Sequence, residues 1–137
     1  MISVDLAEQL AAAGLVWHPA RGDHFVLPHR DMDGDVFVLS DMTIEVHRFA
    51  QGEVLGFNGT VEWALDSVEF HEALWMPRED QLRDALGAAF EGLRRTGDGY
   101  ECRAEKVTGY GQTAAEAYAR ALLDLLRDHE HAQVAIP

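Results

Sequence analysis

Between residues 24 and 35 the chain places His24, His29, Asp31, Asp33 and Asp35, imidazoles and carboxylates that ligate a divalent metal when a loop folds them inward. Their spacing is not that of a standard calcium loop, which takes oxygen ligands at positions 1, 3 and 5, glycine at 6 and glutamate at 12. Counted from Asp31, the glycine comes fourth and the twelfth residue is Met42. The simpler reading of PHRDMDGD is a polar turn joining two strands. A second group is Asp41, Glu45 and His47. Residues 45 and 47 share one face of a strand and can pair as acid and base, although such pairs are also ordinary on a solvated sheet face. The third, Glu62, Asp66, Glu69, His71 and Glu72, is an acidic neighbourhood suited to a metal or a cationic ligand, or else the charged outer face of a sheet buried on its other side. Together these groups support one reading of the chain, as a small metal-dependent or ligand-binding enzyme working between residues 24 and 72.

The tryptophans support a different reading. Trp17, Trp63 and Trp75 each bury about 150–250 Å² on docking, so each anchors a core or marks an interface. Trp75 is the interface candidate, because Ala73-Leu74-Trp75-Met76 is a compact apolar run between polar flanks. Trp63, Trp75, Asp66, Glu69 and His71 therefore form the candidate binding surface, within residues 57–76.

The sequence contains no phosphate loop ending in Lys-Ser or Lys-Thr, no GxGxxG, GxSxG or HExxH, and no paired CxxC, so no cofactor, metal centre or catalytic residue is assigned. Cys102 is the lone cysteine; it forms no internal disulfide and has no neighbouring histidine to activate it. Twenty-four acidic against eleven basic residues leave a formal charge of −13, which repels nucleic acid and anionic lipid. Arg94-Arg95 with Arg103 and Lys106 is the one run able to seed a basic patch. MISVDLAEQL has no basic leader region, and no apolar run approaches the roughly 18 residues of a membrane span. A cytoplasmic protein is expected, with no membrane and no nucleic acid as partner.

The elements that must position these side chains follow from periodicity and punctuation. Ser3 caps a helix over 4–13 with Leu6, Leu10 and Ala13 on one stripe, stopped by Gly14. HFVLP, DVFVLS, TIEVHRF and EVLGF are short strands divided by turn residues. Around Asn58-Gly59 a two-residue loop would set the apolar residues of the two arms on opposite faces. A three-residue loop instead puts Leu55, Val61 and Trp63 on one sheltered face. The competing reading is a short helix capped by Thr60, with Val61, Leu65 and Val68 on one stripe.

Pro77 at the first helical position opens a helix over 78–90 that buries Leu82, Ala85, Leu86, Ala89 and Phe90, with Gly87 as an early stop. FEGLRRTG and GYECRAEKV form a hairpin around Thr96-Gly97-Asp98-Gly99. Thr113-Ala114-Ala115-Glu116 is a capping box for a last helix over 114–129, burying Ala117, Tyr118, Ala121, Leu122, Leu125 and Leu126. The expected fold is a single α+β domain over 1–137: an antiparallel β-meander sheet with an N-terminal helix and two later helices packed on one face.

VFVLSDMTIEVH, GFNGTVEWALDSV, EALWMPREDQLRDALG and the TAAEAYARALLDLL helix together resemble a family of small actinobacterial proteins that often carry the name pilus assembly protein CpaE. The resemblance covers almost the whole chain. It implies a link to pilus assembly and carries over no catalytic residue. Another bearer of the name resembles ATPases of the MinD type, whose phosphate loop is absent here. The second half also looks like small phage-associated domains. The function expected from the residues is a non-enzymatic protein-binding or regulatory module, acting on a protein partner or by self-association.

Overall fold

The structure is a computed structural model describing residues 1–28, 35–39, 46–49, 52–55, 68–69 and 73–134. In chain order, helix α1 (Val4–Ala12) precedes strands β1 (His24–Val26), β2 (Phe37–Val38), β3 (Val46–Phe49), β4 (Gly52–Leu55), β5 (Val68–Glu69) and β6 (Leu74–Met76). Helix α2 (Glu79–Leu86), a 3-10 turn (Gly87–Ala89), strands β7 (Phe90–Arg95), β8 (Tyr100–Ala104) and β9 (Val107–Gly111), and helix α3 (Ala114–Val134) follow. This is the α+β class that the sequence implies, with every described strand pair antiparallel. The strands divide among three sheets, ordered β2-β1-β6, β3-β4-β5 and β7-β8-β9. Two compact units result, Met1–Val16 with Pro77–Pro137, and Trp17–Met76.

In the first unit, α1 starts where the Ser3 hydroxyl accepts from the Leu6 N–H at 3.1 Å, and it ends at Gly14, whose φ of +112° a side chain would resist. Leu6, Ala7 and Leu10 are its buried stripe. Helix α2 is shorter than its apolar spacing implies. Glu79, not Pro77, takes the first helical position; Arg78 is the N-cap, and the Arg78 N–H donates to Gln81 Oε1 at 2.9 Å. Gly87, at φ +54°, ends the helix, so Phe90 falls on β7 and Ala85 is left exposed, while Leu82 and Leu86 are buried.

Helix α3 lies against β9 and β8, and both α1 and α2 pack against α3. That central position widens its buried surface beyond the expected stripe. Ala115, Ala119 and Leu123 are buried along with Ala117, Tyr118, Ala121, Leu122 and Leu125, and Leu126 is only half-buried. The Tyr118 ring meets Phe90 edge-on at 5.8 Å, and the Arg83 guanidinium caps the other ring at 4.9 Å from its centroid.

Strand β9 is the element that sequence reading merges into the arm before it. Its two-residue connection, Glu105-Lys106, joins Ala104 to its partner Val107, and Glu105 takes φ +47°. A tight hairpin turn usually marks such a position with glycine or asparagine, so glutamate there conceals it. The Glu105 N–H donates to the Ala89 carbonyl at 3.0 Å, which fixes the turn to the end of the 3-10 segment. Glu105→Gly removes the left-handed penalty of about 1–2 kcal/mol at the cost of a more flexible unfolded chain. It is expected to raise the unfolding free energy by about 0.5 kcal/mol in urea titration.

In the second unit, β1 sits between β2 and β6, so Phe25 is flanked on one side by Phe37 and on the other by Trp75. This row of cross-strand aromatics is the centre of the unit's core. The Phe25 and Phe37 rings are 5.4 Å apart, and Trp17 packs over both Phe25, at 5.7 Å, and Trp75, at 6.5 Å with the indole planes 8° from parallel. Leu27 and Leu39 complete the cluster. The three-residue loop, at 57–59 or 58–60, and the shared face of Val61 and Trp63 with Leu55 lie outside the described residues; Leu55 itself pairs with Val46 and Val68.

Candidate functional site

Among the described residues, the β7-β8-β9 sheet has an edge strand on each side, β7 and β9, and the two differ in kind. Strand β7 carries a register shift between Phe90 and Gly92 and exposes Glu91, Arg94 and Arg95, the bulge and charges by which natural edge strands resist further pairing. Strand β9 reads Val-Thr-Gly-Tyr-Gly: no charge, no proline, and an unbroken register with β8 over all five residues. Tyr110 stands 60% exposed.

Glycines bring α3 down onto this strand. A Cβ built on Gly109 would lie 2.4 Å from the Ala121 nitrogen and 2.5 Å from the Ala117 oxygen, and one on Gly111 would lie 2.7 Å from the Ala117 nitrogen. Bare backbone on the strand therefore meets alanine on the helix. The helix starts at the strand's end, where Thr113 Oγ1 accepts from the Glu116 N–H at 3.1 Å and the Glu116 carboxylate accepts from the Gln112 N–H at 3.1 Å. The expected capping box is thus present, with its return bond one residue earlier than the standard pattern.

An open groove of about 840 Å³ runs beside β9. Its helical wall carries Glu116, Arg120, Asp124 and Arg127, alternating in sign. Arg120 bonds Glu116 at 3.1 Å, and Arg127 donates to Gln9 of α1 at 3.1 Å. The Gly111 carbonyl oxygen lies 2.2 Å from a Cβ built on Gly99, so it points toward β8. By the alternation of an antiparallel ladder, Val107, Gly109 and Gly111 then serve β8, while the N–H and C=O groups of Thr108 and Tyr110 face outward. The groove thus combines a backbone edge ready to pair with a charged rail parallel to it.

The far face of the sheet is a polar row. Arg94 is opposite Glu101, which is opposite Tyr110, and Arg94 and Glu101 form a direct ion pair. The Glu101 carboxylate holds the Arg94 guanidinium above its usual range, but the arginine is solvent-exposed and the pair is a minor stabiliser. On the opposite, helix-covered face, Cys102 is fully buried, and burial pushes its thiol up from the usual range; it is an inert core side chain. Burial raises Tyr118 as well, against a smaller opposing pull from Arg83.

These two groups give the pH dependence a sign. In the folded chain each keeps its proton past the pH at which the unfolded chain gives it up. Their contribution is intact below the ordinary values of 9.0 and 10.0 and is lost as pH rises through the higher folded-state values. Urea midpoints are expected to hold from pH 7 to about 8.5 and then fall, and to fall less steeply in Cys102→Ala.

The structure distributes the sequence candidates unevenly. Trp75 is half-buried on β6, stacked on Trp17, and its buried indole N–H has no hydrogen-bond partner among the described residues. Glu69 lies on β5 opposite Val54. Trp63, Asp66 and His71 lie outside the described residues, as do Glu62 and Glu72. Of the first metal-type group, His24 is half-buried on β1 and Asp35 is exposed, whereas 29, 31 and 33 fall outside. His47 lies on β3, with 41 and 45 outside. Among the described residues, no three histidine, cysteine, aspartate or glutamate side chains gather into a metal site. No described helix is long and apolar enough to cross a membrane.

Two features escaped the sequence reading. The β9 edge was hidden by its glutamate turn. Asp23 is not among the sequence candidates, yet it is 2% exposed and accepts both the Trp17 indole N–H and the Ala20 N–H at 2.9 Å. Its local signal is the Arg-Gly-Asp turn before a strand.

No family model, curated protein or solved structure matches the chain.

Proposed function

We propose that this chain is a non-enzymatic protein-binding module that receives an extended segment along the open edge of β9. The observation that carries this reading is the contrast between the sheet's two edges: β7 is bulged and charged, and β9 is regular in register and uncharged beside a groove. Main-chain pairing supplies affinity in such strand addition, and the neighbouring side chains supply selectivity. Here the alternating charges of α3 would set the direction and register of the incoming strand.

The test is a selection of random linear peptides on the full chain, immobilised sparsely enough that copies do not meet. Enriched peptides are expected to bind the wild type and to lose binding to Thr108→Pro. Proline there removes an outward N–H and leaves the β8 ladder intact, as edge strands tolerate. Peptides that bind Thr108→Pro as well as the wild type would contradict the reading.

A further inference from the structure

We infer that the strand received at this edge is β9 of a second copy of the chain, paired antiparallel about a two-fold axis at Gly109. The inference rests on the edge reading above and adds the identity of the occupant. A two-fold interface must be self-complementary, with residue i facing j and j facing i. Strand β9 meets that condition. Centred on Gly109, Thr108 of one copy faces Tyr110 of the other, and these are the residues whose backbone groups point outward.

Helix α3 meets it independently. Its exposed wall reads Glu116, Arg120, Asp124, Arg127, and reversing the order inverts every sign. In an antiparallel pair of α3 helices, Glu116 faces Arg127 and Arg120 faces Asp124, and both pairings are centred on the turn around Leu122. The two centres lie at the same level along the strand, because the position a Cβ would take on Gly109 lies 2.4 Å from the Ala121 nitrogen. An axis perpendicular to the sheet therefore serves both registers. It continues the sheet across the two copies and brings both helices to the same side of the seam.

Charge also explains why copies would meet here. The whole chain carries −13, so most approaches between copies are repulsive. This wall sets two guanidinium groups against two carboxylates and is locally balanced. Like charges opposed across an interface are costly, so the balance acts as orientation control.

Light scattering and sedimentation across a dilution series of the full chain test this. The wild type is expected to be a dimer at micromolar concentration and to dissociate on dilution. Thr108→Pro is expected to be monomeric at the same concentrations with its melting transition retained; if it fails to fold, Tyr110→Lys, which places a charge beside the seam, takes its place. Arg120→Asp is expected to weaken the dimer at least roughly tenfold, and adding Asp124→Arg to restore it, since the swapped pair is again complementary. A wild type that stays monomeric, or a dimer indifferent to both the edge and the charge variants, overturns self-pairing. If the wild type is monomeric while selected peptides still require an intact Thr108, self-pairing falls and the edge reading stands.

Discussion

Gly109→Ala is expected to cost about 3 kcal/mol of unfolding free energy, at the upper end of what overpacking a close contact produces. The added methyl has no flexible neighbour to displace: it meets the Ala121 nitrogen and the Ala117 oxygen, both backbone atoms of α3. Relief requires the helix to lift from the strand, and α1 and α2 both rest on that helix. The loss therefore spreads to the packing of Leu122 and Tyr118. A matched change on the same strand gives the contrast. Thr108 points to the open face, and Thr108→Val is expected to shift the urea midpoint little. If Gly109→Ala cost no more than Thr108→Val, the close approach of α3 to β9 would be wrong.

A loss of similar size is expected from Asp23→Ala in the second unit. Its carboxylate oxygen accepts two N–H groups, one from the Trp17 indole and one from Ala20, and its own N–H donates to the Ala20 carbonyl at 3.1 Å. The same residue's carbonyl accepts from Leu39, while Leu39 accepts from Gly22, so the turn is tied to the strand beside it. Hydrogen bonds to a charged group contribute about 1.5–3 kcal/mol, and the orphaned indole adds a desolvation cost. A drop of about 3 kcal/mol follows, together with loss of near-ultraviolet circular dichroism from the stacked Trp17 and Trp75 rings. Asp23→Asn keeps an acceptor for the indole and is expected to lose about 1 kcal/mol. Equal behaviour of the two variants would remove the carboxylate's assigned role.

The parts of this fold that local chemistry decides were legible in the chain. Ser3 and Gly14 bracket α1, and Thr113 with Glu116 opens α3, because a cap needs only residues within one turn of each other. The strand runs at 24–26, 37–38, 46–49 and 52–55 were marked by β-branched and aromatic side chains between turn residues. What one chain segment cannot display is the company it keeps. Ala115, Ala119 and Leu123 are buried because two further helices press on α3, and nothing in their own spacing distinguishes them from a solvated face. Leu86 and Phe90 fit a continuous helical stripe, and Gly87, the early stop that the sequence offers, ends the helix between them at positive φ.

The site was less legible than the fold for the same reason. Tyr110 and Thr108 carry no reactive group, and their importance comes from backbone donors and acceptors left facing outward at a sheet edge. That property depends on strand order, which is a matter of tertiary pairing. Composition drew attention to Trp75, whose apolar run does form a strand. Its ring packs on Trp17 and is half-buried, so part of its area already serves the core.

Residue-resolved amide hydrogen exchange reads out the β9 edge itself. At high dilution the N–H groups of Val107, Gly109 and Gly111 are expected to be protected by β8, while those of Thr108 and Tyr110 exchange freely. As concentration rises, or when a selected peptide is added, Thr108 and Tyr110 should slow together. Protection of Thr108 and Tyr110 already at high dilution, or free exchange of both under every condition, would contradict the open, pairing edge on which the account stands.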